Sequence, residues 1–259
     1  MSVNYLPKIS IVTAVLNAAA HVERTIESVL TQRYPNLEYI IIDGGSSDGT
    51  LDIIHNHGQR LTAWRSEPDG GVYDAWNKGL ALASGEWIGF LGAGDEYTTD
   101  AIAKYVDAIQ THSDKQLEYI SSQVALVADA GQVLRTIGLP WEWRRFQVYM
   151  NVAHVGSLHH RRLYDRYGRY DLSYRVCGDY ELLLRPRERL RAAYFPHVTA
   201  HMRLSGLSNT DDRVFTETAR AKRDTGGRSG LLCRLDNCMA RAKYALRKLV
   251  WRRHGYGER

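Results

Sequence analysis

The 259-residue chain has only three cysteines, Cys177, Cys233 and Cys238, with no CxxC pair and no even set among them. That excludes a disulfide framework and a structural zinc site, and it suits a reduced compartment. No apolar run approaches the ~18 residues of a membrane span. The most apolar stretch, Ile9 to Ala20, is broken by Ser10, Thr13 and Asn17. The first residues, MSVNYLPK, do not join a basic stretch to an apolar one as a secretory signal does, which predicts a cytoplasmic protein. Internal repeats, low-complexity tracts and Pro/Gly/Ser-rich linkers are likewise missing. With 44% hydrophobic residues, whole-chain disorder is excluded, and the length suits one large α/β domain or two small ones.

The net charge of +5 is unevenly distributed. From Arg220 to Arg259 twelve Lys and Arg oppose three acids, a balance of +9, whereas residues 1–219 carry −4. A mildly acidic body with a basic tail points to the tail as the part that meets a polyanionic surface.

Apolar periodicity organises the rest. Lys8 to Val15 is a β-branched run, followed by helical spacing from His21 to Gln32. Strand then helix recurs in Leu37 to Asp43 with Thr50 to His57, and in Leu61 to Ser66 with Val72 to Ala83, before a fourth strand at Trp87 to Leu91. This alternation predicts a mostly parallel α/β sheet with helices on both faces. Further on, the pattern predicts a helix over Asp100 to Gln110, a strand over Leu117 to Ile120, and a hairpin from Val124 to Ile137 around Ala130-Gly131. It then predicts a helix from Asp179 to Arg189, a strand from Ala192 to Phe195 and a helix from Thr210 to Arg223.

In parallel sheets ligands bind outside the carboxyl ends of the strands. Asp43 closes the second strand, Asp69 follows the third and Asp95 the fourth, so three carboxylates fall on that edge. Each alone could be a turn former or helix cap, as Asp48 in SSDGT is; three in succession make a site.

The blocks IVTAVLNAAAHVERTIESVLTQRYPNLEYIIIDGGSSDGT, SEPDGGVYDAWNKGLALASGEWIGFLGAGDEY, HVGSLHHRRLYDRYGRYD and GDYELLLR follow one another over about residues 7–208. In that order they resemble family 2 glycosyltransferases of the bacterial surface-polysaccharide type. The resemblance implies a GT-A fold and inverting transfer of a sugar from a nucleoside diphosphate donor, UDP-, GDP- or dTDP-linked. It implies a nucleotide-sugar-binding half at 7–100 and an acceptor-side half at 101–208 within a domain of 1–208, leaving 209–259 as a helical basic tail. On the matching positions, Thr13, Val15 and Asn17 would line the nucleoside, Asp43 would hold base or ribose, and Asp69 would line the same pocket. Asp95 would carry a divalent cation, Mn2+ or Mg2+, and the donor's diphosphate. Many relatives have two or three carboxylates where Gly92-Ala93-Gly94-Asp95 has one, so the cation would be held mostly by the substrate. His201 stands where some relatives supply another ligand, with a structural role as the alternative. Asp179 matches the aspartate that deprotonates the acceptor hydroxyl, a helix N-cap being its plain alternative and Glu181 a weaker candidate base. His154 matches a recurrent histidine of the acceptor-side block.

Arginines 161, 162, 166, 169 and 175 interleave with tyrosines 164, 167, 170 and 174. Such a pattern can bind nucleic acid, but here it coincides with that acceptor-side block and no nucleic-acid partner is expected. Arg185 could support the base, contact phosphate or form a plain ion pair. In the tail, Leu231, Leu235, Cys238, Ala242, Leu246, Leu249 and Val250 follow helical spacing. Arg234, Arg241, Lys243, Arg247, Lys248, Arg252 and Arg253 oppose the single acid Asp236, and Trp251 stands near the end. This basic amphipathic helix, 231–253, predicts peripheral attachment to an anionic membrane on its cytoplasmic face, where lipid-linked glycan acceptors reside. Docking on the body through the leucine face is the alternative. A nucleotidyltransferase would need a Gly-rich, basic phosphate loop in LNAAAHVER, and a Rossmann dehydrogenase GxGxxG after Val15; neither is present. The thinned acidic motif leaves an inactive sugar-binding or scaffold protein as the rival from another class.

Overall fold

Strands β1 (Ile9–Val15), β2 (Leu37–Asp43), β3 (Ala63–Ser66) and β4 (Trp87–Gly92) build the parallel half of one sheet. Even-numbered Val12, Ile40, Ile42, Ile88 and Phe90 enter one core, and odd-numbered Ile9, Ile11, Tyr39, Ile41 and Leu91 the other. This is the period-two alternation of strands buried on both faces. The computed structural model describes residues 6–128, 131–203 and 211–253, with side chains of the last helix given through 246.

Helices α1 (Val22–Leu30) and α2 (Thr50–His57) cover the odd-numbered face, and α3 (Val72–Leu82) the even-numbered one. The two-residue β5 (Glu96–Tyr97) follows β4, and α4 (Ala101–Thr111) packs Ile102, Tyr105 and Val106 beside α1's core. Then come β6 (Tyr119–Val127), its hairpin partner β7 (Val133–Ile137), the four-residue α5 (Trp143–Phe146), β8 (Ser157–His160) and α6 (Arg161–Tyr167). The chain continues through α7 (Gly178–Leu184), β9 (Ala192–Arg203), α8 (Arg213–Asp224) and α9 (Gly230–Arg253). Sheet order is β3-β2-β1-β4-β8-β6-β9-β5, with β7 beside β6.

The second half of the sheet is mixed where a mostly parallel one is predicted. β8 runs antiparallel between β4 and β6, and β5 antiparallel to β9. The strand expected at 192–195 runs on to Arg203. Its pairing with β6 shifts between Ser121↔Tyr194 and Gln123↔Val198, so Pro196 lies in an irregular stretch where its missing N–H breaks no ladder. That extension carries the end of β9 to β5, beside Asp95. The hairpin residue Ala130 and the domain boundary at 208 lie outside the described residues.

The tail helix docks on α8, but not through its leucines. Asp236 is 6% exposed and accepts from Lys222 Nζ (3.2 Å) and Arg228 Nε and Nη2 (2.6 and 2.9 Å). Tyr244 meets Phe215 edge-on at 5.6 Å, and Arg241 stacks over the same ring at 4.6 Å. Leu231, Leu235, Met239 and Leu246 face outward, 70, 52, 53 and 63% exposed. Docking through the leucine face is thereby overturned: the lone acid of a basic helix, needing cations once buried, selects the opposite face. The side chains of Arg247, Lys248, Leu249, Val250, Trp251, Arg252 and Arg253 lie outside the described ones. Among the described residues no helix is long and apolar enough to cross a membrane.

Candidate active site

At the carboxyl edge of β2, Asp43 is wholly buried and folds the following turn. One carboxylate oxygen accepts from Gly45 N (3.1 Å), Ser46 N (3.0 Å) and Ser66 Oγ (2.6 Å), and the other from Ser46 Oγ. Asn17, in the left-handed region at φ +47°, stitches the preceding loop to this turn. Its N–H donates to Ser46 Oγ (2.8 Å) and its Oδ1 accepts from Ser47 N (2.9 Å). Asp69 completes the group: Oδ1 accepts from Gly71 N (2.8 Å), while Oδ2 lies 2.7 Å from where a Cβ on Gly44 would be. A side chain at 44 would expel that carboxylate.

Asn17, Asp43 and Asp69 therefore come together, and Thr13 and Val15 do not join them. Thr13 is fully buried and shares a 3.1 Å hydrogen bond with Tyr39 Oη, and the Val15 side chain packs in the core under α1. Only the Val15 carbonyl reaches the loop, where it accepts from Gly44 N (2.9 Å).

Asp95 ends a tight turn from β4. Its N–H donates to Gly92 O (3.0 Å), and the turn is pinned to α1 by the buried Thr25 hydroxyl, which donates to Asp95 O and accepts from Gly94 N, both at 2.9 Å. Arg203 N donates to Asp95 Oδ1 (3.3 Å), and the Arg203 side chain passes Gly94. Burial pushes the Asp95 carboxyl up to about 7, against the downward pull of the backbone N–H donors and the Arg203 charge. His201 faces Glu96 across the β5–β9 ladder and is exposed. Among the described residues the one converging His/acid trio is Glu23, Glu27 and His57, on α1 and α2; it is engaged internally, with His57 Nε2 2.9 Å from Glu23 and Arg60 2.6 Å from Glu27. Among the described residues no protein cage for a cation exists at Asp95. A desolvated carboxylate at the sheet edge does fit a cation that takes most of its ligands from phosphate oxygens.

Asp179 lies in the first turn of α7. Tyr73, in the first turn of α3 and so at the same sheet edge as Asp69, donates its hydroxyl to Asp179 Oδ1 (3.1 Å); Tyr180 N donates to the same oxygen (2.9 Å). A Cβ on the neighbouring Gly178 would sit 2.8 Å from the Tyr73 ring, so glycine there permits the approach. Among the described residues Oδ2 has no hydrogen-bond partner. Glu181, the weaker candidate, is engaged by Arg185 (2.5 Å) and Thr225 Oγ1 (2.9 Å), which also settles Arg185 as an ion-pairing brace that donates to Tyr167 O and Arg169 O.

His154 packs among Trp76, Phe90 and His159, at ring separations of 4.7, 5.7 and 5.3 Å, and burial depresses its pKa, leaving it neutral. Of the interleaved aromatics, Tyr164, Tyr170 and Tyr174 are core residues, and Arg161 and Arg166 brace Ala83 O, Gly85 O and Glu118. Tyr73 and Arg203 went unnoticed in the sequence. Tyr73 occupies an ordinary core position of its helix, and Arg203 meets Asp95 through a backbone N–H.

A family model described as Glycosyl transferase family 2 matches residues 10–120. A PGL/p-HBAD biosynthesis glycosyltransferase of Mycobacterium bovis is 33% identical over 216 residues, covering 79% of this chain and 80% of that one. TuaG of Bacillus subtilis, named for teichuronic acid biosynthesis, is 34% identical over 113 residues, 42% of this chain and 45% of its own. Among solved structures, the mannosyltransferase PcManGT of Pyrobaculum calidifontis, in complex with GDP-Man and Mn2+, superposes with a TM-score of 0.63 at 16% identity. The match covers 93% of this chain and 76% of that one, and at this identity it speaks for the fold alone.

Proposed function

Because the chain belongs to glycosyl transferase family 2, and is a glycosyltransferase of cell-surface glycan synthesis with the GT-A fold, we propose that it transfers a sugar from a nucleoside diphosphate with inversion, Asp179 acting as base. The observation that carries this reading is the half-anchored Asp179 carboxylate: Oδ1 is fixed by Tyr73 and Tyr180, and Oδ2 is left to accept a proton. As the acceptor hydroxyl attacks the anomeric carbon, its proton passes to Oδ2, and the bond from that carbon to the diphosphate oxygen breaks on the opposite face. The loops of Asn17, Asp43 and Asp69 bind the nucleotide, Asp43 by fixing its turn. Asp95, with His201 nearby, would hold Mn2+ or Mg2+ together with the donor's phosphates. Such a cation, when bound, neutralises the charge that develops on the leaving diphosphate. The acceptor is a lipid-linked glycan, and the outward leucines of α9 with Arg234 and Lys243 rest on an anionic membrane surface.

The test is a panel of UDP-, GDP- and dTDP-sugars, with and without Mn2+, followed by release of the nucleoside diphosphate. One donor should turn over, and Asp179→Asn should lower kcat by at least about a hundredfold, the usual range for a lost general base, with donor affinity within about twofold. Binding without turnover, or unchanged kcat in that variant, would refute the reading.

A further inference from the structure

Helix α8 is tied to the segment that carries Asp179 by a buried carboxylate. Glu217 is 9% exposed; its Oε1 accepts from Arg175 N (2.9 Å), and its Oε2 from Val176 N (2.8 Å) and Cys177 N (2.9 Å). These three successive N–H groups lie in neither strand nor helix, directly before α7. The rest of α8 serves the same segment. Arg220 stacks 3.7 Å over the Tyr174 ring and donates to Ser173 O (3.0 Å), and Thr218 Oγ1 lies 3.3 Å from Cys177 Sγ. From the other side, Tyr73 meets both Gly178 and Asp179.

We propose that Glu217 is a positioning residue for Asp179: by gripping the N–H groups of 175–177 it fixes where α7 begins, and with it where the free Oδ2 points. An ionised carboxylate is what three converging donors require, since it offers two acceptor oxygens and no competing donor. A displacement of about 1 Å at a proton acceptor is enough to lower turnover severely, so a clamp two residues before the base acts on rate without touching substrate. The inference rests on the reading of Asp179 as the base.

The test measures nucleoside diphosphate release from the donor found in the panel, for Glu217→Ala, Glu217→Gln and each of them combined with Asp179→Asn. Glu217→Ala should lower kcat at least tenfold while donor KM stays within twofold. Glu217→Gln keeps one acceptor oxygen but turns an NH2 toward a donor, and should fall between it and the unaltered protein; it stands in if the alanine variant does not fold. In the Asp179→Asn background the further loss from either should be under twofold, because the residue it positions is already disabled. Losses that multiply, kcat within twofold in both single variants, or a decline matched by equal loss of donor affinity would overturn the proposal. Normal turnover in Asp179→Asn alone would remove the base assignment itself, whereas multiplying losses with an inactive Asp179→Asn would leave that assignment standing and sink only the clamp.

Discussion

Replacing Asp95 by asparagine should stabilise the ligand-free protein at neutral and alkaline pH while abolishing turnover. Burial holds the folded Asp95 carboxyl at about 7, whereas an aspartate in an unfolded chain titrates near 4. A carboxyl whose folded value lies above its unfolded one leaves stability intact below about pH 4, drains it as pH rises from about 4 to about 7, and takes no more beyond. A displacement of this size has a ceiling of about 4 kcal/mol. Local relaxation and water reaching the half-buried carboxylate reduce the expected difference to about 2 kcal/mol. Asparagine keeps the shape and an acceptor for Arg203 N without the charge. For a chain of this length, about 2 kcal/mol is a rise of about 4–8 °C in Tm. Melting curves with divalent ions chelated, taken from about pH 5 to about pH 8, should show the gap between variant and unaltered protein widening with pH. Adding donor nucleotide and Mn2+ should narrow it, because only the carboxylate form gains the bound cation. A gap independent of pH, or one favouring aspartate at alkaline pH, would refute the reasoning by showing that Asp95 is not desolvated.

Two further substitutions probe the scaffold and the tail. A Cβ at Gly79 would lie 2.3 Å from Val12 Cγ1, so Gly79→Ala forces α3 off β1 and should cost about 1–3 kcal/mol in denaturant unfolding; an unchanged midpoint would show that the helix shifts freely. Leu235→Glu with Leu246→Glu should abolish co-sedimentation with anionic vesicles and leave Tm unaltered, since both side chains face outward; a fall in Tm would mean that the stripe is buried against protein.

The grouping of Asp43 with Asp69 was legible because their contacts are local. Asp43 bonds Gly45 and Ser46, and Asp69 bonds Gly71, so the turn residues that make the geometry stand beside the acids that use it. Strands β1 and β2 are legible as runs rich in β-branched residues and buried on both faces. Strand β8 is not: in SLHH only Leu158 is apolar, and its His159 is buried with a hydrogen bond to Tyr164 at 2.6 Å. β9 runs past the expected end at Phe195 because the sheet accommodates Pro196 in an irregular stretch. For Thr13, position in the motif misled: the strand's period sends its side chain toward Tyr39, away from the loops.

The surroundings of Asp179 are assembled across sequence distance, and mostly by backbone. Tyr73 and Asp179 are 106 residues apart, and Glu217 meets Cys177 from 40 residues away through an N–H that every residue but proline possesses. Such contacts leave no residue-type signature, so no spacing rule could have found Glu217. The same construction explains why the sugar-bearing donor is easier to infer than its acceptor. Loop 43–46 is held by its own hydrogen bonds to Asp43, whereas α8 grips the backbone directly before α7 through Glu217, so a change in α8 can move Asp179 without altering any residue of α7. On the proposed reading, divergence in the helical segment after β9 would retune the surroundings of Asp179 and leave the turn at Asp43 as it is.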